Sequence, residues 1–413
     1  MATEAITLLQ GKRILLGVCG SIAAYKAVDL ASKLTQAGAL VDVILTEAAE
    51  RFVTALTFQA VTGRPVYDSL WQSGAGLPTH IAHVGLGEGA DLLVVAPATA
   101  NTLAKLAHGL ADDLLSVTAL AARCPLLVAP AMDGGMYAHP AVQANLQTLT
   151  GRGARLIEPD EGRFASGLVG RGRLPETPAL IGHIRRALAA NGALRGRRVI
   201  VTAGGTREAI DPVRYLTNRS SGKQGYALAQ AALDEGAEVT LVSSAALPTP
   251  TGATLVAVNS AGEMLDAVLA HLPGSDMLLM AAAVADFRPQ AAADHKIKKR
   301  EGSDDAPTLV LTRTADILMA VKAQRANSGF PRVVVGFAAE SHDLLAYAAD
   351  KLARKGLDML VANDISAPDA GFEVDTNRVV FLTPDGQEAL ALTSKTRVAE
   401  ALIERVAGLL AGR

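Results

Sequence analysis

Cysteine is almost missing from this chain: Cys19 and Cys124 are the only two in 413 residues. Two thiols cannot build a disulfide framework or a cysteine-rich zinc site. Long apolar runs are missing too. The longest, 277–285, is about half of what a membrane span needs. No charge of one sign dominates, since 39 Lys and Arg face 41 Asp and Glu, so there is no electrostatic case for nucleic acid or an anionic membrane. Glu4 precedes the first base, Lys12, so no basic region leads into an apolar stretch and no secretory signal is expected. These absences predict a cytoplasmic protein with no membrane or nucleic-acid partner. Aromatics are scarce at 4%, yet half the residues are apolar and 38 are glycine. That suits a globular, many-looped α/β protein rather than a disordered or fibrous one.

At roughly 150 residues per domain, this length makes two domains, each able to bury a core. In the first half, 13–18, 40–45, 91–96, 125–129 and 154–157 read as strands, with helical patterns over 22–37, after 100 and over 140–150. Such alternation implies right-handed βαβ crossovers and a parallel sheet. All-apolar runs such as 92–96 imply strands covered on both faces. Between 158 and 176 the pattern stops, and glycine-rich sequence without a period predicts a long mobile loop. A helix from Thr177 ends near Asn191-Gly192, and the basic stretch 195–198 reads as a linker. The βα logic then restarts. Strands are predicted over 199–202, 237–242, 276–280, 333–337, 359–361 and 378–382, with helices over 223–234, 261–271, 342–354 and from Lys395. The expected architecture is α/β, with two doubly wound, mainly parallel-sheet domains, 1–191 and 192–413.

The first turn, Gly17-Val-Cys-Gly20-Ser21-Ile22-Ala-Ala, puts small residues where a strand meets a helix N-terminus. Free N–H groups there suit a phosphate, although a tight turn packed without a ligand uses the same residues. Ala23 fills the third glycine position of G-x-G-x-x-G, and Thr46 stands where a dinucleotide fold has an acidic ribose ligand. A mononucleotide fits better. Pro97-Ala-Thr99-Ala-Asn101-Thr102 and Pro130-Ala-Met132-Asp133 follow later strands at the same edge, where open α/β sheets hold ligands. His80 and His83 lie near a predicted helix start, a place for a cap or packed histidine as well as a catalyst. In the second half, Ser220-Ser-Gly-Lys-Gln-Gly225 can hold an anion at a helix start but is no Walker motif, because Gln follows Lys223. Lys296-Ile-Lys298-Lys299-Arg300 reads as a solvated loop, a nucleic-acid patch or a triphosphate clamp. No metal cluster, catalytic triad or disulfide redox pair is legible.

Together these motifs resemble one family over nearly the whole chain: the bifunctional phosphopantothenoylcysteine decarboxylase/phosphopantothenate–cysteine ligases of coenzyme A biosynthesis. The first half is similar to FMN-containing cysteine decarboxylases through Gly20-Ser-Ile-Ala-Ala, Thr46-Glu, Ala96-Pro-Ala-Thr-Ala-Asn-Thr, Asp112-Asp-Leu-Leu and Pro130-Ala-Met. The second resembles the ligase through Thr202-Ala-Gly-Gly-Thr-Arg-Glu, Asp211-Pro-Val-Arg-Tyr, Asn218-Arg-Ser-Ser-Gly-Lys, Ala281-Ala-Ala-Val-Ala-Asp286, Lys296-Ile-Lys-Lys and Gly336-Phe-Ala-Ala-Glu340. The implied folds are a flavodoxin-like FMN domain and a Rossmann-like ligase domain. The implied ligation joins 4′-phosphopantothenate to L-cysteine with CTP. The pantothenate carboxylate attacks the α-phosphate, pyrophosphate leaves, and the cysteine amine displaces CMP from the acyl-cytidylate. A carboxylate is inert to amines until its oxygen becomes a leaving group, and the triphosphate needs Mg²⁺ and cations around it. By position, the resemblance assigns Lys296, Lys351 and Lys355 to the CTP phosphates or cytidine. On the same resemblance Ala281, Ala282, Asp286, Ala315, Asp316, Ile317 and Phe337 would line the nucleotide site. Asn218 would hold the acyl-cytidylate, with Arg214 one helical turn away by spacing. Metal ligands are left unassigned.

For the first half the resemblance implies FMN-dependent decarboxylation of 4′-phosphopantothenoylcysteine to 4′-phosphopantetheine. FMN would be held by Gly20, Ser21, Ile22, Thr46, Thr99, Asn101, Thr102 and Met132, and His83 matches the catalytic base, whereas His80 does not. Two residues depart from the family pattern. Asp133 stands for Asn in Pro-x-Met-Asn, and Ser166 stands for the Cys of the flap that covers the substrate. An ionised Asp133 about 4 Å from the substrate carboxylate would repel it by roughly 4 kcal/mol at an effective dielectric near 20, unless it is protonated or turned away. Serine is a far poorer acid than a thiol, and a positioned acid contributes about 10²–10⁴ in rate. A second reading is therefore an active ligase fused to an FMN-binding domain with lost or altered decarboxylation. A non-catalytic flavin-binding regulator leaves the second-half motifs unexplained. The resemblance also implies a homo-oligomer, a dodecamer built from trimeric flavin domains and dimeric ligase domains.

Overall fold

The computed structural model describes residues 6–71, 77, 79–298, 308–340, 344–364 and 374–412, with the side chains of 339–340, 344–347 and 364 left aside. Lys299, Arg300 and His342 therefore lie outside the described residues. The chain divides into two compact units, Met1–Ala189 and Ala190–Arg413.

Six strands form the sheet of the first unit: β1 (Arg13–Val18), β2 (Leu40–Leu45), β3 (Val66–Tyr67), β4 (Leu92–Ala98), β5 (Leu126–Pro130) and β6 (Arg155–Leu156). All run parallel, in the order β3-β2-β1-β4-β5-β6. Alternate residues feed two cores. Ile14, Leu16, Val18, Val94 and Ala96 pack with Leu30, Leu34 and Leu180 on one face. Leu15, Ile44, Leu93 and Val95 pack with Leu103, Leu115 and Leu146 on the other. Both faces are dry, which is why these strands read as continuous apolar runs. The first helix is Ala24–Gln36, two residues short of the expected start at 22, because the Ser21 hydroxyl accepts the Ala23 N–H at 3.3 Å and keeps 21–23 as a turn.

The loop expected over 158–176 is instead a hairpin, β7 (Asp160–Arg163) and β8 (Val169–Arg173), paired antiparallel. Its turn closes through Phe164 N–H to Leu168 O at 2.8 Å and Gly167 N–H to Phe164 O at 3.0 Å, with Gly167 at φ 89°, a left-handed conformation that suits glycine. Backbone bonds make this ribbon, so its side chains carry no hydrophobic period for a sequence reading to detect.

The second unit holds β9 (Arg198–Ala203), β10 (Arg207–Asp211), β11 (Arg214–Thr217), β12 (Glu238–Ser243), β13 (Thr254–Ala257), β14 (Met277–Met280), β15 (Phe287–Pro289), β16 (Leu311–Arg313), β17 (Val333–Glu340), β18 (Met359–Asp364), β19 (Thr376–Thr383) and β20 (Gly386–Ser394). Eight of them form one sheet, β13-β12-β9-β14-β17-β18-β19-β20. It is parallel up to β18 and antiparallel at β19 and β20. The pairs β10–β11 and β15–β16 are separate hairpins. Val199, Val201 and Leu279 pack under the helices Lys223–Asp234 and Lys395–Ala411, and Ile200, Leu278 and Val334 pack with Met264, Val268 and Val321. Arg198, expected at the end of a linker, already belongs to β9. Among the described residues no helix is long and apolar enough to cross a membrane.

Gly225 lets the helix Lys223–Asp234 rest directly on β9. A Cβ there would meet Ala203 Cβ at 2.5 Å and Thr202 O at 2.8 Å. Gly225→Ala should therefore cost about 1–3 kcal/mol and lower the melting temperature in thermal denaturation. In the first unit, burial pushes the Cys19 thiol up to about 11, partly opposed by bonds with Thr102 and Thr99. Below about pH 8.5 the thiol is neutral in both states and adds no pH dependence. Above that, the unfolded chain loses the proton while the folded one keeps it, so stability falls as pH rises toward about 11. Urea midpoints measured from pH 8 upward should show this decline. Cys19→Ser should remove about 2 kcal/mol of it by pH ~10.5.

Candidate active sites

In the first unit the strand order reverses between β1 and β4, and a crevice opens at the carboxyl ends of those strands. The loops there are stitched together. Cys19 N–H reaches Pro97 O at 3.3 Å, Thr46 N–H reaches Val18 O at 3.1 Å, and Ala131 N–H reaches Ala98 O at 3.0 Å. Gly20 sits where a Cβ would run into the Ala48 carbonyl at 2.8 Å, so only glycine lets the phosphate-type turn approach the helix Glu47–Glu50. The Thr46 hydroxyl caps that helix. Thr99 caps Ala100–His108, accepting the Thr102 N–H at 3.3 Å, and the two hydroxyls lie 3.2 Å apart. Asn101 and Ile22 are exposed, Ser21 and Met132 half-buried. Gly20, Ser21, Ile22, Thr46, Thr99, Asn101, Thr102 and Met132 thus share one edge. Its N–H-bearing turn, hydroxyls and exposed amide suit a flavin mononucleotide.

His83 stands half-buried on the first turn of the helix Ala82–Gly89. Among the described residues no hydrogen bond ties it to these loops. Asp133 follows β5 and faces the hairpin: Ser166 Oγ donates to Asp133 Oδ2 at 2.7 Å, and Gly135 N–H donates to Oδ1 at 3.3 Å. A sequence reading missed the anchor at the hairpin's base. Glu158 accepts from Tyr137 OH and from Arg171, each at 2.9 Å, and burial together with Glu158 pushes the Tyr137 phenol up to about 12.

In the second unit a cavity of about 840 Å³ is lined by Ala281, Ala282, Asp286, Ala315, Asp316, Ile317, Phe337, Lys351 and Lys355. The two Ala- and Gly-rich motifs build its wall by zipping together. Thr202 Oγ1 accepts from Ala282 N–H at 3.1 Å, Gly204 O from Ala283 N–H at 2.9 Å, and Thr206 Oγ1 from Ala285 N–H at 2.9 Å. Asn218 grips the same wall, its amide donating to Ala283 O at 3.2 Å and Val284 O at 3.3 Å. Lys355 is buried and pairs with Asp316. Lys351 donates to Phe337 O at 2.9 Å. Burial pulls the Lys355 amine below its ordinary range, with Asp286 opposing.

Two residues are placed differently from expectation. Arg214 is on strand β11, so it is not one helical turn from Asn218. Its guanidinium is committed to Asp211 at 3.0 Å and to Ile297 O at 3.0 Å, which holds the Asp211 carboxyl well below the usual carboxylate range. Lys296 is exposed beside this turn, next to Ile297, whose N–H bonds Asp211 at 3.1 Å. Neither Arg214 nor Lys296 lines the cavity, and Asn218 meets it only through its bonds to the Ala283 and Val284 carbonyls of the wall.

The cavity also takes in Lys223 and Gln224, from the helix start read as an anion site, and Asn363, Asn377 and Lys395, which a sequence reading missed. Among the described residues, Gln224 Oε1 and Asn363 Oδ1 are buried there without a hydrogen-bond partner. Burial, reinforced by Lys223, lowers the Lys395 amine. Only the anion-type helix start at Ser220–Gly225 signalled this end of the cavity in advance. Among the described residues no group of three or more His, Cys, Asp or Glu could hold a metal ion.

Comparison with known proteins covers both units. The flavoprotein family profile matches residues 3–189, and the profile for the DNA/pantothenate metabolism flavoprotein C-terminal domain matches 194–410. The coenzyme A biosynthesis bifunctional protein CoaBC of Bacillus subtilis is 46% identical over 97% of this chain and 98% of its own length. That of Mycobacterium tuberculosis is 48% identical, covering 97% of each. A solved C-terminal domain of a CoaBC protein aligns with 54% of this chain and all of its own, at 38% identity and a TM-score of 0.45. Near-complete coverage at this identity places the chain in the family of coenzyme A biosynthesis bifunctional proteins, CoaBC.

Proposed function

We propose that the domain of residues 192–413 joins 4′-phosphopantothenate to L-cysteine with CTP, and that the domain of residues 1–191 decarboxylates the product with FMN. The observation that carries the ligase half is the cavity that gathers Asp286, Asp316, Lys351 and Lys355 from separate segments of the chain. A buried amine such as Lys355 regains favourable interactions when an anion enters, so Lys355, Lys351 and Lys395 favour a triphosphate. The acceptors of Gln224 and Asn363, buried and without a partner among the described residues, suit a ligand's N–H groups. Mg²⁺, which offsets phosphate charge when bound, would be held by the triphosphate and water, with Asp286 as the wall carboxylate beside it. The pantothenate carboxylate attacks the α-phosphorus and pyrophosphate leaves. The cysteine amine then forms the amide bond as CMP leaves. Asn218 holds the acyl group at the 283–284 backbone. Lys296, outside the cavity wall, belongs to the segment that would approach the nucleotide from the β10–β11 side, with Arg214 bracing it.

In the flavin domain the Gly20–Ser21–Ile22 turn would hold the FMN phosphate, and Thr46, Thr99, Asn101 and Met132 would hold the rest, with Thr102 orienting Thr99. Bound FMN would supply a reversible two-electron acceptor, taking a pair from the cysteinyl thiol and returning the same pair after decarboxylation, so that 4′-phosphopantetheine leaves as a thiol. His83 takes the thiol proton on an imidazole nitrogen, and the carboxylate then leaves as carbon dioxide. The bifunctional reading is favoured over an inactive flavin domain because the Asp133 carboxylate is turned toward Ser166. Exposed Ile22 and Tyr25 flank the phosphate turn. They would be covered in a homo-oligomer, which by resemblance is a dodecamer, and the setting is the cytoplasm.

Asn218→Asp would set a carboxylate against two carbonyl oxygens and the acyl-cytidylate phosphate. Cysteine transfer should slow about 10²-fold while CTP-dependent pyrophosphate release falls far less. Lost pyrophosphate release with intact cysteine transfer would give Asn218 a different role. His83→Asn should retain FMN absorbance but cut carbon dioxide release from 4′-phosphopantothenoylcysteine by about 10²–10⁴. Undiminished release would remove His83 from the chemistry.

A further inference from the structure

The two departures from the family pattern touch each other. Ser166 Oγ donates to Asp133 Oδ2 at 2.7 Å, and the other carboxylate oxygen accepts from Gly135 N–H. The hairpin does not need this bond to dock. Met132 N–H binds Gly172 O at 3.0 Å, Gly172 packs on the Met132 carbonyl so closely that a Cβ has no room, and Gly134 lies under the Phe164 ring, which a Cβ there would meet at 3.2 Å. Glu158 ties Tyr137 to Arg171 at the base. The Ser166 hydroxyl, exposed at the turn, therefore has a task other than holding the ribbon down. Asp133 sits one residue past Met132, at the edge assigned to the flavin, and a substrate that loses carbon dioxide there brings its own carboxylate. An unrestrained Asp133 would repel it. As a weak acid, serine is poorly suited to deliver a proton, but it is well suited to donate a charge-assisted bond to a carboxylate.

We propose that Ser166 is a positioning residue that holds the Asp133 carboxylate toward the hairpin and away from the substrate carboxylate, so that the two residues set substrate affinity as one unit. This rests on the reading of residues 1–191 as the decarboxylase.

The test uses the full-length, FMN-loaded protein and 4′-phosphopantothenoylcysteine. The flavin absorbance change reports Kd, and carbon dioxide release reports kcat and KM, at low and high salt. Ser166→Ala should raise Kd and KM about tenfold at low salt and less at high salt, where charge repulsion is screened, with the loss falling on affinity rather than on kcat. Asp133→Asn should bind about threefold more tightly. The double variant should return to within threefold of the parent, and Ser166→Thr should restore binding. The proposal is overturned if Ser166→Ala leaves Kd unmoved, if the double variant stays as weak as Ser166→Ala, or if the loss falls on kcat alone. A parent that binds the substrate but releases no carbon dioxide would refute the decarboxylase reading, while the Kd pattern still judges the pair. A parent that binds no substrate refutes both.

Discussion

A parallel sheet survives only if both its faces are covered, and in both units this requirement governs everything at the sites. Helices on either side of β1 and β4, and of β9 and β14, dry the strands completely. Every connection must then leave at a strand end, and the carboxyl ends collect the loops that enter helices. The flavin-type edge and the nucleotide-type cavity are two outcomes of that one constraint. The first is an open edge of small turns, the second a cavity walled by two zipped loops.

Close backbone approach completes both sites. Gly20 under the Ala48 carbonyl and Gly225 against Thr202 and Ala203 remove a Cβ where loop and helix must touch. Threonine hydroxyls do the complementary work, with Thr46 and Thr99 capping helices and Thr202 and Thr206 holding the Ala281–Asp286 segment. These groups spend their hydrogen bonds on shape. The cations Lys351, Lys355 and Lys395 are then carried on elements that pack around the cavity, where burial lowers the Lys355 and Lys395 amines from their ordinary range.

The regular elements were legible because their signals are local. Helices 223–234 and 261–271 and strands 13–18 and 40–45 have the expected bounds. The ribbons β7–β8 and β10–β11 were not legible: their pairing is made by backbone bonds, and their side chains carry no apolar alternation. That is also why Arg214 was given helical spacing to Asn218 when it lies on a strand, committed to Asp211. The glycine- and threonine-rich site motifs could be read at once, whereas Asn363, Asn377 and Lys395 stand in no motif and reach the cavity only through the fold.

By itself, then, the sequence determined the two α/β domains, the small-residue turns at their strand ends and the family to which those turns belong, because hydrophobic period and turn chemistry act over a few residues. Tertiary structure alone decided which distant side chains meet. Asp133 and Ser166, 33 residues apart, share one hydrogen bond, and Lys355 comes to rest on Asp316. Such pairings depend on how strands and ribbons pack against one another, and no local pattern encodes that.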